Sequence, residues 1–223
     1  MNGRRHELDL YQVKIVSNEE IAKDVYVLSY PRRHDFVAGQ VVGISDRKDG
    51  EPRLYSIMSG NTEEVVSLLY NVKPGGELSP NLAALKAGDM LFVSAPFGKF
   101  FGTDKPAVLI ASGTGIAPFI SMLRSGQHHD KVLIHGGRTL DSFYFRDEIT
   151  HLLGKDNYVR CCSGEKGDGV YEGRLTRYLR EQPEPDPGRK YYLCGLAEMV
   201  VETRDLLIDR GVPYENIIAE IYF

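Results

Sequence analysis

The first hundred residues carry their apolar positions in short alternating runs, cut at close intervals by turn residues. Residues 10–16 and 25–30 alternate apolar and polar side chains, as strands with one face on a core do. Runs at 41–44, 54–58, 65–70 and 90–94 continue the pattern; Asp49-Gly50, Lys73-Pro74-Gly75-Gly76 and Ala87-Gly88-Asp89 break it. Many short strands at regular spacing predict a closed, all-β antiparallel barrel. One short helix is expected over 79–85, with Ser79 as N-cap and Pro80 at the first helical position.

From Lys105 the rhythm changes. Apolar strand-like runs at 107–111, 131–135, 158–162, 191–193 and 217–222 alternate with helix-like segments at 115–124, 145–153, 175–180 and 199–210. That alternation predicts βαβ units and a doubly wound α/β domain on a parallel sheet. The composition turns polar near 101–105, so the expected domains are 1–102, a barrel, and 103–223, an α/β domain. Three prolines within 182–188 mark a surface loop. No internal repeat or low-complexity segment is visible.

Composition narrows the function classes. With 42% apolar and 26% charged residues and no apolar run long enough for a bilayer, a soluble, cytoplasmic protein is expected, with no membrane partner. The polar start Met1-Asn2-Gly3-Arg4-Arg5-His6 does not read as a secretory signal. Three cysteines, two of them adjacent, make no disulfide framework and are too few for an iron–sulfur cluster, which usually needs four thiolates. The six histidines show no metal-ligand spacing, so no metal is expected; His128-His129 reads as solvated loop. A formal charge of −4 argues against nucleic acid as the main partner.

Five segments then carry candidate chemistry. In Arg53-Leu54-Tyr55-Ser56, strand geometry puts the guanidinium and the ring on one face, which suits a ligand with phosphate and a ring system. Arginine and tyrosine on one strand face are also ordinary surface. Gly75-Gly76-Glu77-Leu78-Ser79-Pro80 reads equally as an anion-binding helix start or as a plain turn into a capped helix. Ser112-Gly113-Thr114-Gly115 follows a buried strand and opens a helix, where α/β sheets bind nucleotides. Pro118 stands where a dinucleotide fingerprint would have its third glycine. Cys194, in Leu193-Cys194-Gly195, reads as a small core residue, with no histidine near it in sequence. Ala219-Glu220-Ile221-Tyr222-Phe223 reads by itself as a C-terminal core strand, with an aromatic-walled flavin slot as the alternative.

Taken in order, these segments resemble the ferredoxin–NADP reductase superfamily, and in particular the compact bacterial ferredoxin (flavodoxin)–NADP reductases. Phe36-Val37-Ala38-Gly39-Gln40 is similar to the family's third-strand lead-in, and Arg53-Leu54-Tyr55-Ser56 to its flavin-binding R-x-Y-S strand. The segment from Leu78 to Asp89 resembles the diphosphate segment. Gly113-Thr114-Gly115-Ile116-Ala117-Pro118-Phe119, His135-Gly136-Gly137-Arg138, Leu193-Cys194-Gly195 and the terminal five residues complete the series.

The resemblance implies an FAD-dependent oxidoreductase that moves hydride between NADPH and flavin, and single electrons to or from ferredoxin or flavodoxin. By that likeness Arg53 and Ser79 hold the FAD diphosphate with N–H groups near Gly76 and Leu78, and Tyr55 stacks on one flavin face. Ser56 lies near flavin N5, and Tyr70, Asn71 and Val72 line the ring with backbone groups. Thr114 and Gly115 face both flavin and nicotinamide; Cys194, beside Gly195, sits by the reacting carbon, and Glu220 near the proton exit. Tyr222 covers the second flavin face as a movable lid, and Phe223 packs on the adenine.

Where NADP enzymes of the family commonly show Ser-Arg-Glu, this chain has Ser163-Gly164-Glu165. Arg138 and Arg174 remain to grip a 2′-phosphate, with Lys166 near, so NADPH is expected over NADH. A monomer is expected. A basic rim at Arg4-Arg5, Arg32-Arg33, Arg47-Lys48 and Lys99 is a candidate landing site for an acidic carrier, although any single pair reads first as solvated surface. The alternatives are an NAD(P)H:flavin reductase or oxygenase reductase component and, in another class, a non-catalytic relay or regulatory subunit.

Overall fold

A computed structural model of the chain describes residues 8–222. The alternating first part forms seven strands: β1 (Leu10–Lys14), β2 (Ser17–Ala22), β3 (Val25–Pro31), β4 (Val41–Ser45), β5 (Arg53–Ser56), β6 (Val65–Asn71) and β7 (Met90–Ser94). They pair antiparallel in two sheets, β1-β7-β4-β5 and β2-β3-β6. The chain passes between the sheets at Ile15-Val16. The Ile15 N–H bonds to the Asp89 carbonyl at 2.9 Å and the Val16 N–H to that of Ser29 at 2.8 Å. On the other side Ile57 bridges Leu68. The two sheets therefore join around one core that includes Val13, Leu28, Tyr30, Ile44, Leu68 and Leu91, giving the expected barrel.

Two details differ from the sequence expectation. Strand β2, Ser-Asn-Glu-Glu-Ile-Ala, has no apolar alternation; it forms because its backbone pairs with β3 at the edge of the smaller sheet, where charge is tolerated. Helix α1 runs Leu78–Ala84 with Glu77, not Ser79, at the N-cap. The Ser79 hydroxyl is engaged elsewhere, accepting the Lys73 N–H at 2.9 Å and so closing the loop ahead of the helix.

The second part is a six-stranded parallel sheet of β8 (Ala107–Ser112), β9 (Lys131–Gly137), β10 (Tyr158–Cys162), β11 (Tyr171–Glu172), β12 (Lys190–Leu196) and β13 (Ile217–Tyr222). The helices are α2 (Ala117–Arg124), α3 (Arg146–Leu153), α4 (Leu175–Glu181) and α5 (Ala197–Asp209). Strand order is β11-β10-β9-β8-β12-β13, so the winding direction reverses between β8 and β12. In open α/β sheets such a reversal opens a crevice at the strand carboxyl ends, where ligands bind.

The two parts share buried surface. Ala38, Met58, Leu69 and Phe100 from the first pack in one core with Leu109, Ile116, Phe119 and Met122 from the second. Inside it the Ser121 hydroxyl donates to the Ser59 carbonyl at 2.7 Å, and at the exposed edge the Asn61 N–H bonds to the Ser125 hydroxyl at 3.0 Å. Leaving that buried carbonyl unpaired would cost about 1–3 kcal/mol. This contact fixes helix α2, and the turn that feeds it, against the barrel.

Candidate active site

The crevice at the β8–β12 reversal is built by close backbone approach. Residues Gly113–Ile116 form a single 3₁₀ turn before α2. A Cβ on Gly115 would collide with the Cys194 carbonyl, and one on Gly195, whose φ is +141°, with the Ser112 side chain. Ser112, given no role of its own in the sequence expectation, accepts the Leu196 N–H at 3.2 Å and so ties the two strand ends together. Its only signal in sequence is its place directly before the glycine turn.

Four of the expected residues converge beside this crevice from three strands. Ser56, the buried inner end of β5, belongs to the barrel; Cys194 and Glu220 are register partners on β12 and β13; Tyr222 lies two residues further along β13. The Tyr222 hydroxyl donates to Ser56 Oγ at 2.7 Å, and Ser56 Oγ donates to Glu220 Oε2 at 3.3 Å. Tyr222 also contacts the Cys194 thiol. The result is a continuous chain of hydroxyls ending on a carboxylate, across the seam between the two parts.

Burial sets the charge state of this group. It raises the Glu220 carboxyl above its ordinary range, with the Ser56 hydrogen bond opposing. It pushes the Cys194 thiol well up, and the neighbouring Glu220 carboxylate adds to that. Burial does the same to the Tyr222 hydroxyl, followed by Cys194. At neutral pH the thiol and the phenol are therefore protonated. Cys194 is not primed as a nucleophile, because the thiolate is the reactive form.

Outward along β5 the character changes. Tyr55 is half-buried, edge-on to Tyr70 with ring centroids 6.1 Å apart, and Tyr70 stacks on Tyr26 at 5.5 Å. Burial pushes the Tyr55 hydroxyl up to about 12. Arg53 is 59% exposed and meets Glu51 at 3.6 Å. It lines a surface cavity with Arg47, Glu77, Leu78 and Asn81 at the start of α1. A guanidinium, a flat ring and a buried hydroxyl in sequence along one strand fit a flavin dinucleotide: phosphate outside, ring inside.

The other expected flavin contacts are placed as follows. Tyr70 is buried with its hydroxyl on Asn18 Oδ1 at 3.0 Å, Asn71 is exposed, and the Val72 N–H bonds to the Asp24 carbonyl at 2.8 Å. The Gly76 N–H bonds to the Lys73 carbonyl at 2.9 Å, within the loop that Ser79 closes. Phe223 lies outside the described residues, as do Arg4 and Arg5.

Across the sheet rim, Arg138, Ser163 and Arg174 gather at the ends of β9, β10 and β11. The Ser163 N–H bonds to the Gly137 carbonyl and the Gly164 N–H to that of Arg138, at 3.0 and 2.9 Å. Arg174 pairs with Glu198 at 3.4 Å on the surface. Glu165 is turned to the Leu140 N–H at 2.7 Å, and Lys166 pairs with Glu172 at 2.8 Å.

Comparison with known proteins decides the family. An oxidoreductase FAD-binding domain model matches residues 12–101, and an oxidoreductase NAD-binding domain model matches residues 109–205. The ferredoxin–NADP reductase of Pseudomonas aeruginosa is 36% identical over 206 residues, which cover 79% of this chain and 80% of that protein. The chain belongs to the ferredoxin–NADP reductase family. It is an oxidoreductase with FAD-binding and NAD-binding domains, as the resemblance implied.

The electron transfer component of toluate 1,2-dioxygenase from Pseudomonas putida is 26% identical, over 94% of this chain and 67% of that protein. The chain spans between 48% and 80% of the length of the curated relatives compared. A ferredoxin NADP+ reductase from Neisseria gonorrhoeae, solved with bound FAD and NADP, superposes with a TM-score of 0.87. It is 21% identical and covers 97% of this chain and 100% of its own, a likeness of fold. Among the described residues no helix is long and apolar enough to cross a membrane.

Proposed function

We propose that the protein transfers hydride between NADPH and a bound FAD, and passes electrons singly to or from ferredoxin or flavodoxin. The observation that carries this reading is the Tyr222–Ser56–Glu220 hydrogen-bonded chain at the mouth of the β8–β12 crevice. The flavin, when bound, supplies the ring that exchanges a hydride with nicotinamide and single electrons with a carrier. The residues of the chain bind, orient and handle protons.

Arg53 holds the diphosphate. Exposed ion pairs are worth little, so its contact with Glu51 yields readily to a phosphate. Tyr55 walls one face of the ring. Ser56 presents its hydroxyl at the inner end of the strand and donates to Glu220, whose carboxyl, raised by burial, is suited to exchange a proton there. Thr114, Gly115, Cys194 and Gly195 form the floor on which the nicotinamide rests, and the protonated Cys194 thiol gives it a neutral, polarizable contact. Tyr222 occupies the mouth and must move for nicotinamide to enter, because hydride transfer needs the reacting atoms about 3–3.5 Å apart.

Arg138, Arg174 and Ser163 receive the 2′-phosphate of NADPH. Glu165, which would favour a free ribose diol, is held on the Leu140 N–H instead. Anaerobic titration of the purified protein with NADPH and with NADH, followed at the flavin absorbance, tests the assignment. Bleaching at lower NADPH than NADH supports it, and a clear NADH preference overturns the coenzyme choice.

The kinship with the toluate dioxygenase component favours a second reading, a reductase serving an oxygenase. The carriers separate the two. Rapid reduction of ferredoxin or flavodoxin supports the first; electrons delivered only to an oxygenase protein support the second.

A further inference from the structure

His135 lies on β9 with no exposure to solvent, one strand out from the crevice. Both ring nitrogens are partnered. Nδ1 is 3.2 Å from the Tyr158 hydroxyl on β10, and Nε2 is 3.3 Å from the carbonyl oxygen of Gly113. A carbonyl only accepts, so Nε2 carries the proton and Nδ1 accepts from Tyr158. Burial pushes the imidazole down to about 4, which leaves the ring neutral at working pH. One tautomer alone satisfies both partners of a neutral ring.

The ring has little room to turn. Phe143 meets it edge-on with centroids 5.4 Å apart, and Tyr158 lies nearly parallel to it at 6.4 Å. Tyr158 is itself only 6% exposed. At the other end Gly113, with φ of +53°, begins the turn that carries Thr114 and Gly115. From the β12 side the residue before the turn is held by the Ser112–Leu196 hydrogen bond. From the β9 side the first residue of the turn, Gly113, is held by His135. A short 3₁₀ turn has weak internal hydrogen bonding, so such outside supports decide where it sits.

We propose that His135 is a positioning residue for the coenzyme-facing turn Gly113–Ile116, acting through the Gly113 carbonyl, with Tyr158 holding the ring from the Nδ1 side. This rests on the reading that Thr114 and Gly115 face the nicotinamide coenzyme.

Three variants test the inference. His135→Phe keeps an aromatic ring and removes both hydrogen bonds. His135→Gln keeps an amide N–H within reach of the Gly113 carbonyl. Tyr158→Phe removes only the hydrogen bond to Nδ1. The measurements are anaerobic stopped-flow reduction of the holoenzyme by NADPH, FAD affinity by flavin fluorescence, and the ring ¹⁵N shifts of His135. His135→Phe is expected to lower the reduction rate or coenzyme affinity about 3- to 10-fold, the scale of one hydrogen bond. FAD affinity is expected to stay within about twofold, because the histidine acts on the other side of the crevice. His135→Gln should restore most of the loss, and Tyr158→Phe, which leaves the Gly113 carbonyl to fix the tautomer, should keep the Nε2–H ring with a smaller loss.

Wild-type reduction kinetics in His135→Phe would overturn the inference. So would a parallel fall in FAD affinity, the sign of a general packing defect. If His135→Phe does not fold, Tyr158→Phe decides: slower reduction with FAD affinity kept supports the inference, and unchanged reduction although the ring ¹⁵N shifts report the lost Nδ1 partner overturns it. Gly115→Ala, which drives a Cβ into the Cys194 carbonyl, separates this from failure of the coenzyme reading. If it disturbs reduction while His135→Phe does not, only the histidine inference fails. If neither does, the coenzyme reading falls and the inference with it.

Discussion

The seam between the two parts and the outer rim of the sheet handle their polar groups in opposite ways. At the seam Ser56, Glu220, Tyr222 and Cys194 are already joined to one another and withdrawn from water. At the rim Arg138, Arg174 and Lys166 are exposed, as is Arg53 on the barrel strand β5, and those that are paired meet single surface carboxylates. The difference follows from what each must do. A group that handles protons gains from low dielectric and fixed geometry. A group that takes a phosphate must release its partner cheaply when the ligand arrives, and exposed ion pairs do so.

That contrast can be broken most sharply at the seam. Replacing Ser56 by alanine is expected to slow flavin reduction by NADPH about 100-fold, the scale of a positioned proton-handling group, with FAD affinity nearly unchanged. Stopped-flow reduction alongside fluorescence titration measures both. An equal loss in both would turn Ser56 into a mere cofactor contact.

Removing the lid comes next. Tyr222→Ser should tighten nicotinamide binding by about tenfold while disturbing turnover, because the ring no longer competes for the mouth. Calorimetric affinity for NADP+ in that variant that matches the parent would remove the lid role.

Burial of His135 has a stability signature. The folded ring titrates near 4 and the unfolded one near 6.5. Between these values the unfolded chain binds more protons, so stability is present above 6.5 and is lost as pH falls toward 4. The loss amounts to about 3 kcal/mol once pH is below both values. Urea unfolding of His135→Phe across the same range should lack this component. A parallel pH dependence in the two proteins would show that the ring is accessible to protons.

The rim should give the smallest effects. Arg174→Ala is expected to weaken NADPH about fivefold and leave NADH unchanged, since an exposed arginine–phosphate contact is a modest charge-assisted hydrogen bond. Glu198→Gln, which frees Arg174, should tighten NADPH about twofold. Equal changes for both coenzymes would move the 2′-phosphate away from Arg174.

Much of the fold was legible along the chain. The last strand, Ile217–Tyr222, falls where its apolar run predicts, and the β/α alternation after Lys105 gives the parallel sheet. Strand β2 was not legible, because an edge strand of Ser, Asn and Glu is held by backbone pairing that leaves no periodic trace. Ser79 misled for a related reason. A serine before a proline has the composition of an N-cap, yet the Lys73 N–H six residues back takes its hydroxyl. Of the site, the glycine turn and Cys194 were visible as motifs. The roles of Ser112 and His135 were not, since each depends on a neighbouring strand.

By itself the sequence determined which residue types the protein has to work with and in what order. It places an arginine–tyrosine–serine strand, a glycine turn after a buried strand, and a carboxylate and aromatics on the closing segment. Local rules suffice there, because strand period and turn chemistry act over a few residues. Only the tertiary structure decided that Ser56 and Tyr222, 166 positions apart, share a hydrogen bond, and that Glu165 and Ser79 are held elsewhere. Those outcomes depend on which donors and acceptors the packing brings within about 3 Å, and no local pattern encodes that distance.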